Sequence, residues 1–166
     1  MAAGKTYEPI ATFTTNGSTQ TYTFGASNTL PQTYTDLILV VNDINSTASF
    51  DSRINFNSST SAIYSRTGLR GSGSVANSYY QTGLPGFFIT SDGSANNTKP
   101  SIVHIMSYSN STTYKTILVR SNDASTGLSA LVQLWRSTAA VTQIDFYTST
   151  AMASGGTLTL YGIAAA

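Results

Sequence analysis

The stretch Ser129–Ile163, SALVQLWRSTAAVTQIDFYTSTAMASGGTLTLYGI, decides the class of fold. Three short runs rich in Leu, Val, Ile, Phe, Tyr and Trp are separated by clusters of Ser, Thr, Ala and Gly, the pattern of strands divided by turns. In the first run Leu131, Gln133 and Trp135 alternate with Val132, Leu134 and Arg136, which puts the tryptophan on an inward face and the arginine on the opposite one. The last run, TLTLYGI at Thr157–Ile163, reads as a closing strand that lies inside a sheet and delivers Ala164 to Ala166 to its surface. No run is long enough, or charged enough along one side, to be a surface helix.

The rest of the chain has the same character. Apolar residues make up 40% of its 166 residues and charged residues only 9%, against about 25% in ordinary globular proteins. Thr (26), Ser (24) and Asn (11) take the place of the missing charges. Glu occurs once, at Glu8, and Lys only at Lys5, Lys99 and Lys115, so the side chains that coat exposed helices are nearly absent. Thr, Val, Ile and Tyr favour pleated, half-buried surfaces instead. With ten Tyr, seven Phe and a net charge of +1, the chain has the apolar content to fold and lacks the charge that keeps chains disordered. Its length suits one domain spanning 1–166.

Taken in order, Tyr7–Thr14 is a strand whose Pro9 places it at an edge. Asn16-Gly17 then predicts a tight turn into Thr19–Phe24, a hairpin with the first strand. Tyr34–Asn42 holds the most apolar run and is expected as a central strand covered on both faces. Phe50–Asn57 alternates and has one wet face. The Ser/Gly/Asn-rich segment 58–78 reads as a long surface loop, followed by short strands at Tyr79–Gln81 and Phe87–Thr90. Ser101–Ser109 and Tyr114–Ser121 form a hairpin, and Ser129–Arg136, Gln143–Thr148 and Thr157–Ile163 complete the set. With the short runs at Tyr79–Gln81 and Phe87–Thr90 left open, about 8 to 10 strands and no helix of ordinary length predict an all-β antiparallel two-sheet β-sandwich of jelly-roll type.

Composition also narrows function. Eight basic against seven acidic residues, scattered along the chain, provide no patch for a phosphate backbone, so no nucleic-acid partner is expected. The absence of cysteine removes disulfides and thiolate metal sites. The start, MAAGKTYEPI, has no apolar run fit for a secretory signal, and no segment is long enough to span a membrane, so no membrane partner is expected.

His104 is the only histidine and lies between Val103 and Ile105, the setting of a hydrogen-bonded structural residue rather than a catalytic one. Seven dispersed carboxylates, Asp51 and Asp145 among them, form no local pair for glycoside hydrolysis. Asn42-Asp43 and Asn122-Asp123 have oxygens suited to Ca²⁺ without the dense spacing of a dedicated loop. The expectation is a protein without enzymatic activity, cofactor or metal. Tyr79, Tyr80, Phe87 and Phe88 surround a Gly-Pro turn and are either interface anchors or a small satellite core, with Arg66 and Arg70 the nearest charges.

TYEPIAT at Thr6–Thr12, YTDLILVV at Tyr34–Val41, IMSYSNSTTYKTILVR at Ile105–Arg120, LWRSTAAVTQI at Leu134–Ile144 and TLTLYGIAAA at Thr157–Ala166 together carry a resemblance. The chain resembles small Ser/Thr-rich jelly-roll virion proteins of tailed bacteriophages, especially those of cyanobacteria and aquatic bacteria. The resemblance implies a capsid decoration (cement) protein, synthesised in the host cytoplasm and carried on the outer capsid surface of the virion. There it would bridge subunits of the major capsid protein, as a homotrimer. The alternative is a tail-fibre or receptor-binding module that recognises host surface glycans. An N-terminal arm over 1–6, with Ala2, Ala3 and Lys5, joins Arg66, Arg70, Tyr79, Tyr80, Phe87 and Phe88 as the interface candidates.

Overall fold

The structure, a computed structural model, describes residues 6–27, 29–93, 95–123, 125 and 127–164, with 90–93 described by backbone alone. The interface candidates Ala2, Ala3 and Lys5 lie outside the described residues. Twelve strands are present among the described residues: β1 (Tyr7–Thr14), β2 (Thr21–Phe24), β3 (Asp36–Asn42), β4 (Phe50–Phe56), β5 (Tyr64–Gly71), β6 (Ala76–Leu84), β7 (Phe87–Gly93), β8 (Ser101–Ile105), β9 (Lys115–Asp123), β10 (Gly127–Trp135), β11 (Ile144–Thr148) and β12 (Thr157–Ile163). They form an antiparallel β-sandwich. One sheet has eight strands in the order β1-β12-β3-β8-β9-β10-β5-β6, and the other has four in the order β2-β11-β4-β7.

The alternation read from the sequence sets the core. Leu37, Leu39 and Val41 of β3, Val103 and Ile105 of β8, and Leu158 and Leu160 of β12 point inward and are fully buried. From the other sheet Phe24, Ile54, Phe56, Ile144 and Phe146 meet them. Aromatic rings join the layers: Phe56 packs edge-on against Trp135 at 5.4 Å, and Tyr64 against Phe87 at 4.9 Å. Edge-to-face contacts of this kind place a positive ring edge on a negative face. The Tyr64 hydroxyl is satisfied too, accepting from the Phe56 amide at 3.1 Å and donating to the Ser59 carbonyl at 3.0 Å.

Asparagine side chains replace strand hydrogen bonds where the chain turns. Asn16 Oδ1 accepts from the amides of Ser18 and Thr19, and Asn110 Oδ1 accepts from those of Thr112 and Thr113. Asn57 Oδ1 likewise accepts from Thr142 and Gln143. A short amide that mimics the backbone explains why a loop-rich chain of this length uses so much Asn.

Three expectations are corrected. The first two strands do not form a hairpin: β1 pairs with β12, and β2 with β11, in different sheets. The connection crosses the sandwich, and Phe13 of β1 meets Phe24 of β2 edge-on across the core at 4.8 Å. The segment 58–78 is not one long loop. It contains β5 and the start of β6, because β5 completes an eight-residue register with β10 from Tyr64↔Trp135 to Gly71↔Leu128. Backbone pairing, rather than apolar content, makes these residues a strand, and they raise the strand number above the expected range. Finally, β3 is central but covered on one face only: Ile38 and Val40 are half-buried because, among the described residues, no layer lies outside the large sheet.

Candidate functional site

The large sheet has eight strands to the small sheet's four; the inward residues of β9, β10 and the start of β5 still pack on β7 and β4, and the β6 end, with no fully buried side chain, runs past that cover. Its outer face carries two aligned cross-strand rows. His104, Leu118, Val132, Thr67 and Tyr80 are successive register partners, as are Ile102, Arg120, Ala130, Leu69 and Ser78. Period-two alternation forces this arrangement, since each inward Val119 or Leu131 leaves its neighbours pointing out. Leu69 is 64% exposed, Leu128 62% and Val132 53%. The sheet's curvature makes a hollow of about 500 Å³ over the two rows, and a second of about 470 Å³ continues from Ile102 and Ala130 to Leu128 and Asn42. Arg120 stands between the hollows and makes no hydrogen bond or ion pair among the described residues. Contiguous exposed apolar surface of this kind is uncommon on folded monomers.

The interface candidates separate here. Phe87 is corrected: it is fully buried between Phe56 and Tyr64 and touches no solvent, because it faces the opposite sheet. Arg66 lies with its guanidinium 4.6 Å from the Phe88 ring and 5.2 Å from the Tyr79 ring, and its Nε donates to Gln81 Oε1 at 2.6 Å. Those three form a stacked cluster on the inner side of the β5–β6 overhang. Tyr79 can lie there because Gly68 has no Cβ, which would come 3.0 Å from its ring and 2.5 Å from Leu131. Arg70 pairs in register with Asn77 and is half-buried. Tyr80 alone is fully presented, at 78% exposure on the outer face. Sequence reasoning missed the aliphatic residues beside it. The available signal was Ser129–Arg136, where Val132 and Leu134 oppose Leu131 and Trp135, making both faces of one strand apolar.

Most of the other chemistry-bearing groups singled out in the sequence have structural partners. His104 Nε2 lies 2.8 Å from Asp36 Oδ2, and Asp36 Oδ1 accepts from the Ser107 amide at 2.7 Å, so the pair holds the end of β8 against β3. Asp145 accepts from Thr23, Gln143 and Ser58. Asp51 lies four residues along the β4–β11 register from Asn55, the partner of Asp145. That is about 13 Å at 3.3 Å per residue, too far apart for the carboxylate pair of a glycosidase. Asp123 is engaged by Lys99 Nζ at 3.5 Å and by the Ser125 amide and hydroxyl. Burial pushes the Lys99 ammonium below its ordinary pKa, and Asp123 opposes the shift. Lys115 is also buried, and its Nζ donates to the carbonyls of Thr113 and Thr138 at 2.7 and 3.2 Å. Burial lowers its pKa. Among the described residues no three His, Cys, Asp or Glu side chains converge on a metal position.

Fold and surface together define a β-sandwich whose distinguishing feature is a broad, nearly uncharged outer sheet face. No protein-family model matches the chain, and no curated protein is significantly similar to it.

Proposed function

We propose that this is a bacteriophage capsid decoration protein that binds the outer shell through the exposed face of its large sheet. The observation that carries the proposal is that face itself: Ile102, Leu118, Val132, Leu69 and Leu128 exposed together, with Arg120 the one full charge among them. Uncharged surface packs against a neighbour with little desolvation cost. Contacts available only in the assembled lattice would stabilise that lattice by mass action. The virion resemblance supplies the class of partner, the major capsid protein. We also read the body as a jelly roll. Its support is that β1, β2, β3 and β4 alternate between the sheets, as do β7 with β8 and β11 with β12, leaving β9, β10, β5 and β6 as an extension.

Glycan recognition by a tail module has less support, because Phe87 is buried and Tyr79 and Phe88 are stacked on Arg66, leaving Tyr80 as an isolated ring. The test is to add purified protein to capsid shells that lack it and measure co-sedimentation. Saturable binding, weakened by Leu69→Asp or Val132→Asp, is the expected result. Binding indifferent to both substitutions, or localisation to the tail alone in imaged virions, would overturn the proposal.

A further inference from the structure

An open sheet leaves unpaired N–H and C=O groups along its outermost strands, and folded proteins guard such edges with proline, charge, bulges or short length. Three of the four edges here are guarded. β1 carries Glu8 and Pro9 and breaks register between Pro9 and Ala11. β2 has only four residues. β7 shifts register twice against β4. β6 is different. Its segment Ala76–Gln81, ANSYYQ, has no charge and no proline, and pairs with β5 in unbroken register from Gly71↔Ala76 to Arg66↔Gln81. Nothing in the large sheet lies beyond it.

We propose that the β6 edge is an interface that pairs antiparallel with β6 of a second copy of this chain. The occupant follows from complementarity. A strand that docks here is best extended, regular and free of proline, and among the described residues β6 is the free sheet edge that combines those features with a lack of charge. Because the segment holds no charge, two copies meet without like-charge opposition. In antiparallel pairing alternate residues present both backbone groups outward, so the six residues of each copy would give about six hydrogen bonds across the axis. The axis runs perpendicular to the sheet, so outer faces stay on one side. Tyr80 of each copy then lies on a common surface, continuous with Leu69 and Val132. A contact of this kind is self-complementary and closes at two copies, in contrast to the trimer that the virion resemblance implies.

The test combines mass with edge substitution. Light scattering on the purified protein across a concentration series should give a dimer. Tyr80→Lys and Ser78→Lys should each weaken dimerisation by about tenfold or more, while Thr12→Lys on the guarded β1 edge leaves it unchanged. Circular dichroism checks that the variants stay folded. Amide exchange at Ala76–Gln81 should slow as protein concentration rises. A monomer at every concentration, an oligomer whose mass survives both β6 substitutions, or exchange at β6 independent of concentration would each overturn the proposal. Capsid binding is read separately through Leu69→Asp and Val132→Asp, so the two proposals fail independently.

Discussion

β12 and β6, TLTLYGI and ANSYYQTGL, belong to the same sheet, yet their surroundings are opposite. β12 lies between β1 and β3, and its Leu158, Leu160 and Gly162 are buried. β6 has one neighbour, and none of its side chains is fully buried. β12 carries the alternating Leu158 and Leu160 that β6 lacks, and place in the strand order gives that difference its effect. A strand paired on both sides and packed against a second sheet contributes to the core. A strand paired on one side, past the limit of that second sheet, contributes a surface.

The sharpest way to break this contrast is at Leu160. Leu160→Ala should cost about 2–5 kcal/mol in chemical denaturation, since it empties a fully buried site between packed layers. A loss no larger than that of a surface substitution would remove β12 from the core. Gly127 tests the support of the overhang. It has φ of +105°, and an added Cβ would stand 1.9 Å from the Gly71 carbonyl oxygen at the end of β5. Gly127→Ala should therefore cost about 1–3 kcal/mol and speed amide exchange in β5 and β6 more than in β3 and β12.

Lys115 sharpens the boundary between the halves, because it starts β9 opposite Trp135. Its folded pKa lies below the 10.5 of a free lysine, so between those two values the unfolded chain holds more protons and stability rises with pH. Below the folded pKa the cost of the buried charge is fully present. Lys115→Met removes that dependence. The stability difference between variant and parent should move in the parent's favour as pH is raised to 10.5, and a difference independent of pH would refute the buried cation. The smallest effect is expected at β6: Tyr80→Ala should change monomer stability by no more than about 0.5 kcal/mol.

Much of the fold was legible because alternation is a local property. The strands at Tyr7–Thr14, Phe50–Asn57, Ser129–Arg136, Gln143–Thr148 and Thr157–Ile163 all appear within a residue or two, and Trp135 is buried with Arg136 exposed, as the pattern requires. β5 and the start of β6 were illegible because Ser, Gly and Asn carry no apolar period, and hydrogen bonding to β10 is what straightens them. Of the surface candidates, Tyr79, Tyr80, Phe87 and Phe88 are neighbours in sequence around Gly83–Gly86 and lie on β6 and β7. Their separation into buried Phe87, stacked Tyr79 and Phe88, and exposed Tyr80 depends on which sheet each strand joins.

By itself, then, the sequence determined an all-β chain, its main strands and the inward face of each, because side chains alternate along any extended backbone whatever lies beside it. It determined as well that the surface would carry little charge. The tertiary structure alone decided which strands neighbour one another, that the large sheet outreaches the small one, and that Leu69, Leu118, Leu128 and Val132 stand in solvent. Those outcomes rest on pairings between residues far apart in the chain, and a local pattern of apolar and polar residues contains no record of its distant partner.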